Sequence, residues 1–286
     1  MKVVIIGAGN IGLRHAQSLV VAGNVDVLSI VDPVRGALKK AAKFLSPIDS
    51  QVPVNYYSTL NKNGNHDVAI IATSAGPRYK AIQSIKDRCK YLIIEKFLFN
   101  KEEDYEIDLS KNVAYVNCPR SVMPCFDQFK GSSPTLYYYG VEGLLSNTIH
   151  FADLLAHLTG DDDIKYNMEL TKKKKTKRKG YFDSEGRVLI TSGKGLAFLH
   201  TKRLHKEDID FIINDNMILE EERKITDLSG QTKEFDFKLQ SELTAGYIDA
   251  IRKTGKYDLT QYETSKRWHL LFIEELRKKG WKHNIT

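Results

Sequence analysis

The chain has 286 residues, 42% hydrophobic and 28% charged, with 7 Pro. At about 150 residues per domain this length suits two domains, and the composition excludes a disordered or collagen-like chain. Its longest apolar stretches are strand-length, far short of the roughly 18 residues that cross a bilayer. Lys2 precedes too short an apolar run to be an export signal, so the expectation is a cytoplasmic protein with no membrane partner. Cys89, Cys118 and Cys125 show no CxxC and no Cys/His spacing, which argues against both a disulfide framework and a metal site. The net charge of +7 comes from one run, 172–179, with seven cations in eight residues. Without it the charges balance, so no nucleic-acid partner is expected. The run itself reads as a solvated strand or hairpin guarding a sheet edge.

In chain order, Lys2–Ile6 reads as a strand, 13–22 as a helix, 25–31 as a strand and 34–45 as a helix. A weaker strand follows near Val54–Tyr57. Then come a buried strand at 67–73, a helix at 78–89, a strand at 91–95, a helix at 102–109 and a strand at Val113–Asn117. This βα alternation predicts an α/β chain whose N-terminal domain, 1–118, is a Rossmann doubly wound parallel sheet. A second domain, 119–286, is expected to be α+β with a mainly antiparallel sheet. Its elements read as a strand at 135–141, a helix at 148–158 and period-two runs over 164–238, broken by turn signals at 183–186, 192–195 and 229–230. Two amphipathic helices close the chain, at 242–253 and 261–279, and the latter is a candidate to pack back on the Rossmann domain. An antiparallel sheet with one open face calls for cover, which points to a homodimer or homotetramer.

Gly7, Gly9 and Gly12 form G-x-G-x-x-G between the first strand and the first helix. The first glycine permits the turn, the second admits a pyrophosphate and the third lets helix pack on strand. Asn10 and Ile11 belong to the helix N-terminus that attracts phosphate. Asp32, twenty residues after Gly12, suits a ribose hydroxyl and disfavours a 2′-phosphate. NAD is therefore the expected cofactor; Arg35 keeps NADP open, and S-adenosylmethionine is the competing ligand for such a loop. Thr73, at a strand end, is a further cofactor contact, against a plain turn.

The segment Val-Ile-Ile-Gly-Ala-Gly-Asn-Ile-Gly-Leu-Arg-His at 4–15, the strand 67–73, Glu95-Lys96, the stretch 117–120 and Ile-His-Phe-Ala-Asp-Leu at 149–154 together resemble, in that order, the Gfo/Idh/MocA family of NAD(P)-dependent oxidoreductases. The resemblance implies an enzyme that moves hydride to or from a hydroxyl-bearing carbon of a sugar or nucleotide-sugar, in a setting such as surface-polysaccharide synthesis. By position it implies Lys96 and His150 as catalytic groups and Glu95 beside the cofactor. Imidazole titrates near neutrality and suits the base, at about 6.5, whereas Lys, at about 10.4, serves better as a hydrogen-bond donor. Phe97 stands where the family has Pro, often after a cis peptide, and Ser146 stands where many members have Asp four residues before the His. These two departures favour the alternative of a non-catalytic NAD-binding sensor. Arg120, Asn147 and Asp153 are substrate candidates: an anion-binding guanidinium against a surface Arg, a sugar-binding amide against a helix N-cap, and an acid that orients His150 against one that only meets the helix dipole. Cys118 and Cys125 lack a neighbouring base and are not expected to be nucleophiles.

Overall fold

The computed structural model describes residues 1–60, 64–139, 143–176, 179–201, 211–220, 222–282 and 284–285. The chain forms two compact units, one of residues 1–117 and 238–262, the other of residues 118–237 and 263–286. A single cut after residue 118 misses this return of the chain. Residues 238–262 lie with the first unit, and 263–286 lie with the second rather than with the Rossmann sheet.

The first unit is a six-stranded parallel sheet: β1 (Lys2–Ile6), β2 (Val27–Val31), β3 (Val54–Tyr57), β4 (His66–Ile71), β5 (Cys89–Glu95) and β6 (Val113–Asn117), in the order β3-β2-β1-β4-β5-β6. Val3 to Ile5, Val68 to Ile71 and Leu92 to Ile94 are completely buried, as expected of strands covered on both faces. Helices α1 (Asn10–Ala22), α2 (Arg35–Leu45) and α3 (Ala75–Gln83) make crossovers. The helix expected at 78–89 ends early, because Cys89 already pairs with His66 as the first residue of β5. The helix expected at 102–109 is a 3-10 turn, Glu102–Glu106; its acidic run has one buried side chain, Tyr105, and no apolar stripe to bury. Strand order reverses between β1 and β4, so their carboxyl ends flank the crevice in which such sheets bind ligands.

Helix α5 (Gln240–Thr254) packs on α1, and a buried polar network holds it there. Glu95, at the end of β5, accepts from His15 Nε2 of α1 (3.0 Å) and from Asn117 Nδ2 of β6. Asn117 Nδ2 also donates to Gln240 Oε1 (2.8 Å), and Tyr247 donates its hydroxyl to Asn117 Oδ1 (3.3 Å). His15 Nδ1 meets Thr244 Oγ1 at 2.8 Å. The outer edge of β6 is closed by Gln261, which bridges Tyr115.

The second unit contains an eight-stranded sheet in the order β14-β13-β12-β11-β7-β10-β9-β8. Its strands are β7 (Thr135–Tyr139), β8 (Lys165–Lys175), β9 (Phe182–Ser192), β10 (Gly195–His200), β11 (Phe211–Ile213), β12 (Asn216–Leu219), β13 (Lys224–Thr226) and β14 (Thr232–Glu234). All described pairs are antiparallel except β7 with β10. Helix α4 (Leu144–Thr159) packs on β9 and β10, and α6 (Tyr262–Lys278) reaches Tyr166 through Phe272. Helix α4 starts four residues before the expected 148, with Gly143 at φ +83° in front of it. The turn expected at 183–186 is interior to β9. Gly186 (φ +135°) is a close backbone approach instead, since a Cβ there would lie 2.0 Å from the Glu169 carbonyl oxygen. Of the basic run, Lys172 to Lys175 fall on the edge strand β8, while Lys177 and Arg178 lie outside the described residues, as does Val141 of the strand expected at 135–141.

Burial pushes the Glu95 carboxyl up, but the hydrogen bonds and charge of His15 and the Asn117 amide outweigh it and hold the acid below its ordinary value. A depressed folded-state value contributes stability above a pH of about 4.5, lost as pH falls through the folded value. Glu95→Ala, which leaves buried donors without an acceptor, is expected to cost about 2–4 kcal/mol in denaturant unfolding and to flatten the acid limb of the stability profile. A cost under about 1 kcal/mol would show that the network does not hold the unit together.

Candidate nucleotide and acid–base sites

The glycine loop leaves β1 and enters α1. Gly7 has φ +109°, and its amide donates to Val31 O at 2.8 Å. A Cβ on Gly12 would stand 1.9 Å from the Gly7 carbonyl oxygen, so α1 can approach β1 only without one. Around Gly9, by contrast, a Cβ would meet nothing within 4 Å. Its lack of a side chain serves space beyond the protein, where a pyrophosphate would sit. Asn10 and Ile11 open α1, whose first turn has no acidic residue and no side-chain cap. The backbone N–H groups and dipole of that turn therefore suit an anion.

Asp32, just after β2, accepts from Ala8 N (2.9 Å) through Oδ2 and from Val34 N (2.8 Å) through Oδ1. It thereby ties the glycine loop to the end of β2, and each oxygen keeps a lone pair for a ribose hydroxyl. Thr73 follows β4, and its buried Oγ1 has no hydrogen-bond partner among the described residues, which suits a cofactor contact. These residues fit a dinucleotide.

Lys96 follows β5, is half-buried, and precedes Phe97 through a cis peptide. Arg78 of α3, 1% exposed, was not legible as a site residue in the sequence. Its guanidinium donates to the Phe97 carbonyl, to Leu98 O (3.2 Å) and to the Thr73 carbonyl. One buried cation thus joins the loops after β4 and β5. Glu95 differs from its expected place beside the cofactor: its carboxylate is turned to His15 and Asn117 inside the unit.

In the second unit, His150 is half-buried on α4. Asn147 is not the N-cap, because the helix begins at Leu144; its Nδ2 donates to Tyr138 Oη at 3.2 Å. Asp153 is 1% exposed; burial raises the nearby Tyr166 phenol well above its ordinary value, and Cys118 and then Asp153 add to that. That interior position does not suit direct substrate contact. Arg120 is neither free at the surface nor an open anion site: its Nε and Nη2 grip the Glu220 carboxylate at 2.6 and 2.7 Å, between the Phe151 and Phe211 rings. Burial, with acidic neighbours, pushes the Cys125 thiol up to about 12, which leaves almost no thiolate at neutral pH. Among the described residues no cluster of His, Cys, Asp and Glu could hold a metal ion, and no helix is long and apolar enough to cross a membrane.

A doubly wound sheet with a glycine loop at its switch point defines a Rossmann dinucleotide-binding fold, here joined to a second unit built on a mainly antiparallel sheet. Residues 1–106 match the family GFO_IDH_MocA, described as the oxidoreductase family with an NAD-binding Rossmann fold. By that match the first 106 residues, most of the sheet with its glycine loop, are similar to an NAD-binding oxidoreductase family. Comparison with the curated proteins found no match. Among solved structures, the fold is similar to myo-inositol dehydrogenase from Lactobacillus casei in complex with NAD(H) and myo-inositol (TM-score 0.69, 14% identity, covering 99% of this chain and 95% of that one). It is also similar to an oxidoreductase from Agrobacterium radiobacter in complex with NAD+, L-tartaric acid and magnesium (0.68, 14%, 98% and 97%). A third is the WlbA dehydrogenase from Bordetella pertussis in complex with NADH and UDP-GlcNAcA (0.66, 13%, 98% and 97%).

The two glycines with opposite surroundings make a paired prediction. Gly9→Val should leave a folded protein whose NADH fluorescence titration loses at least about tenfold in affinity, roughly 1.4 kcal/mol. Gly12→Ala should instead lower the unfolding midpoint. Undiminished NADH binding by Gly9→Val would place the phosphates elsewhere.

Proposed function

We propose that this protein transfers hydride between NAD and a hydroxyl-bearing carbon of a sugar or nucleotide-sugar, with the synthesis of surface polysaccharide as a setting. The observation that carries this reading is the open space at Gly9 beside the uncapped start of α1, with Asp32 bound to the same loop. The substrate class is supported by the myo-inositol and UDP-GlcNAcA named in the similar structures. When bound, NAD supplies the hydride acceptor or donor at its nicotinamide. In the oxidative direction the carbon loses hydride, its hydroxyl loses a proton to His150 and a carbonyl forms. Lys96, in the first unit, suits the complementary role of a hydrogen-bond donor that stabilises developing charge. Arg78 and Glu95 keep the Lys96 loop in place from behind. Arg120, Asn147 and Asp153 then shape the surroundings of His150 through Glu220, Tyr138 and the interior near Tyr166. NADH is favoured over NADPH, because Asp32 would repel a 2′-phosphate.

The face of the eight-stranded sheet turned away from α4 carries Tyr137, Tyr139, Phe198, Ile212 and Met217, all half-buried in the single chain. We read it as the surface on which a homodimer or homotetramer forms.

A panel of sugars and nucleotide-sugars, assayed for nicotinamide absorbance change, tests the activity. One or more should turn over with NAD, and Lys96→Ala and His150→Gln should each lower kcat/KM by about 10²–10⁴-fold while NADH binding persists. Tight NADH binding with no turnover across the panel would favour the sensor reading.

A further inference from the structure

An imidazole that accepts a proton becomes a cation, and a carboxylate nearby both favours that cation and sets the pH at which it forms. Two buried carboxylates lie on or against α4, the helix that carries His150. Asp153 is three residues further on, interior and near Tyr166. Asp183 comes from the adjacent strand β9 and is 7% exposed. Its Oδ1 accepts both Leu145 N (2.9 Å), in the first turn of α4, and Ser184 N (2.7 Å). Its Oδ2 accepts the Ser146 hydroxyl at 3.2 Å. Capping the helix occupies one oxygen, and the other is turned to Ser146, one helical turn before His150 and on the same helix face.

The remaining charged groups of elements packed on α4 are otherwise engaged. His157 of α4 meets Asp127 of the 3-10 turn Pro124–Phe129, which also binds Lys130. Arg120, from the 3-10 turn Pro119–Val122, grips Glu220. On β9 and β10, Glu185, Arg187 and His200 line a cavity of about 460 Å³ together with Glu169 and Lys174.

We infer that Asp183 is a positioning residue for His150, supplying through Ser146 the negative charge that α4 itself lacks one turn before the imidazole. This rests on His150 being the acid–base group, as proposed above. Ser146 keeps the carboxylate in place by donating to it, and the start of α4 keeps both in register, so an acid from another strand acts where a hydroxyl stands on the helix.

The test is the NMR titration of His150 in the NAD-free protein, its resonance assigned by loss in His150→Gln. Asp183→Asn keeps an acceptor for Leu145 N and removes the charge, so the His150 midpoint should fall by about one pH unit. Ser146→Ala should lower it by less. Asp183→Asn/Ser146→Asp, which moves the carboxylate onto the helix, should restore it. In turnover, the acidic limb of the kcat/KM profile should shift with the same sign. An unmoved His150 midpoint in Asp183→Asn overturns the inference; should that variant not fold, an unmoved midpoint in Ser146→Ala does so. Neither result depends on turnover, whereas full activity in His150→Gln would overturn the functional reading and leave the titration result standing.

Discussion

The Rossmann unit depends on one buried carboxylate. Glu95 ends β5 and is bonded to α1 through His15 and to β6 through Asn117, which continues the network into α5. A carboxylate in an interior is costly unless it is hydrogen-bonded, and here α1 and the end of β6 each supply a donor to its Oε1. Because α1 carries the glycine loop and Glu95 is followed directly by Lys96, the interaction that closes the core also sets the spacing between the two functional loops of this unit. Arg78 does the complementary work with a cation, using its donors on backbone carbonyls that lie past the strand ends.

The second unit repeats the principle with different groups. Arg120 and Glu220 form a two-point ion pair among Phe151 and Phe211, and Asp183 caps α4 from β9. Side chains that look like ligand-binding groups one at a time become parts of the frame once their partners are seen. Two candidate groups of the first unit stay outside such pairing among the described residues: Gly9, around which a Cβ would meet nothing within 4 Å, and Thr73, whose Oγ1 has no hydrogen-bond partner.

Part of the site was readable because it is local. A glycine loop binds phosphate through backbone a few residues long, and Asp32 follows it at the distance that one helix and one strand impose. The βα rhythm was readable for the same reason, since buried parallel strands are continuous apolar runs. Arg78, His15 and Asp183 were not readable, because each acts on a partner 19 to 229 residues away. Arg120 shows the converse: 100 residues separate it from Glu220, and no spacing rule joins them.

By itself, then, the sequence determined a parallel sheet with its glycine loop, a second region rich in antiparallel strands, and a resemblance to the family whose description matches the first 106 residues, because these features are written in periodicity and short motifs. Tertiary structure alone decided that 238–262 return to the first unit, that Glu95 faces inward, that Arg120 is spent on Glu220 and that Asp183 reaches Ser146. The physical reason is that polar pairing inside a protein has no period. A carboxylate or guanidinium takes whichever partner the packed apolar surfaces bring within about 3 Å, and that partner is chosen by the fold.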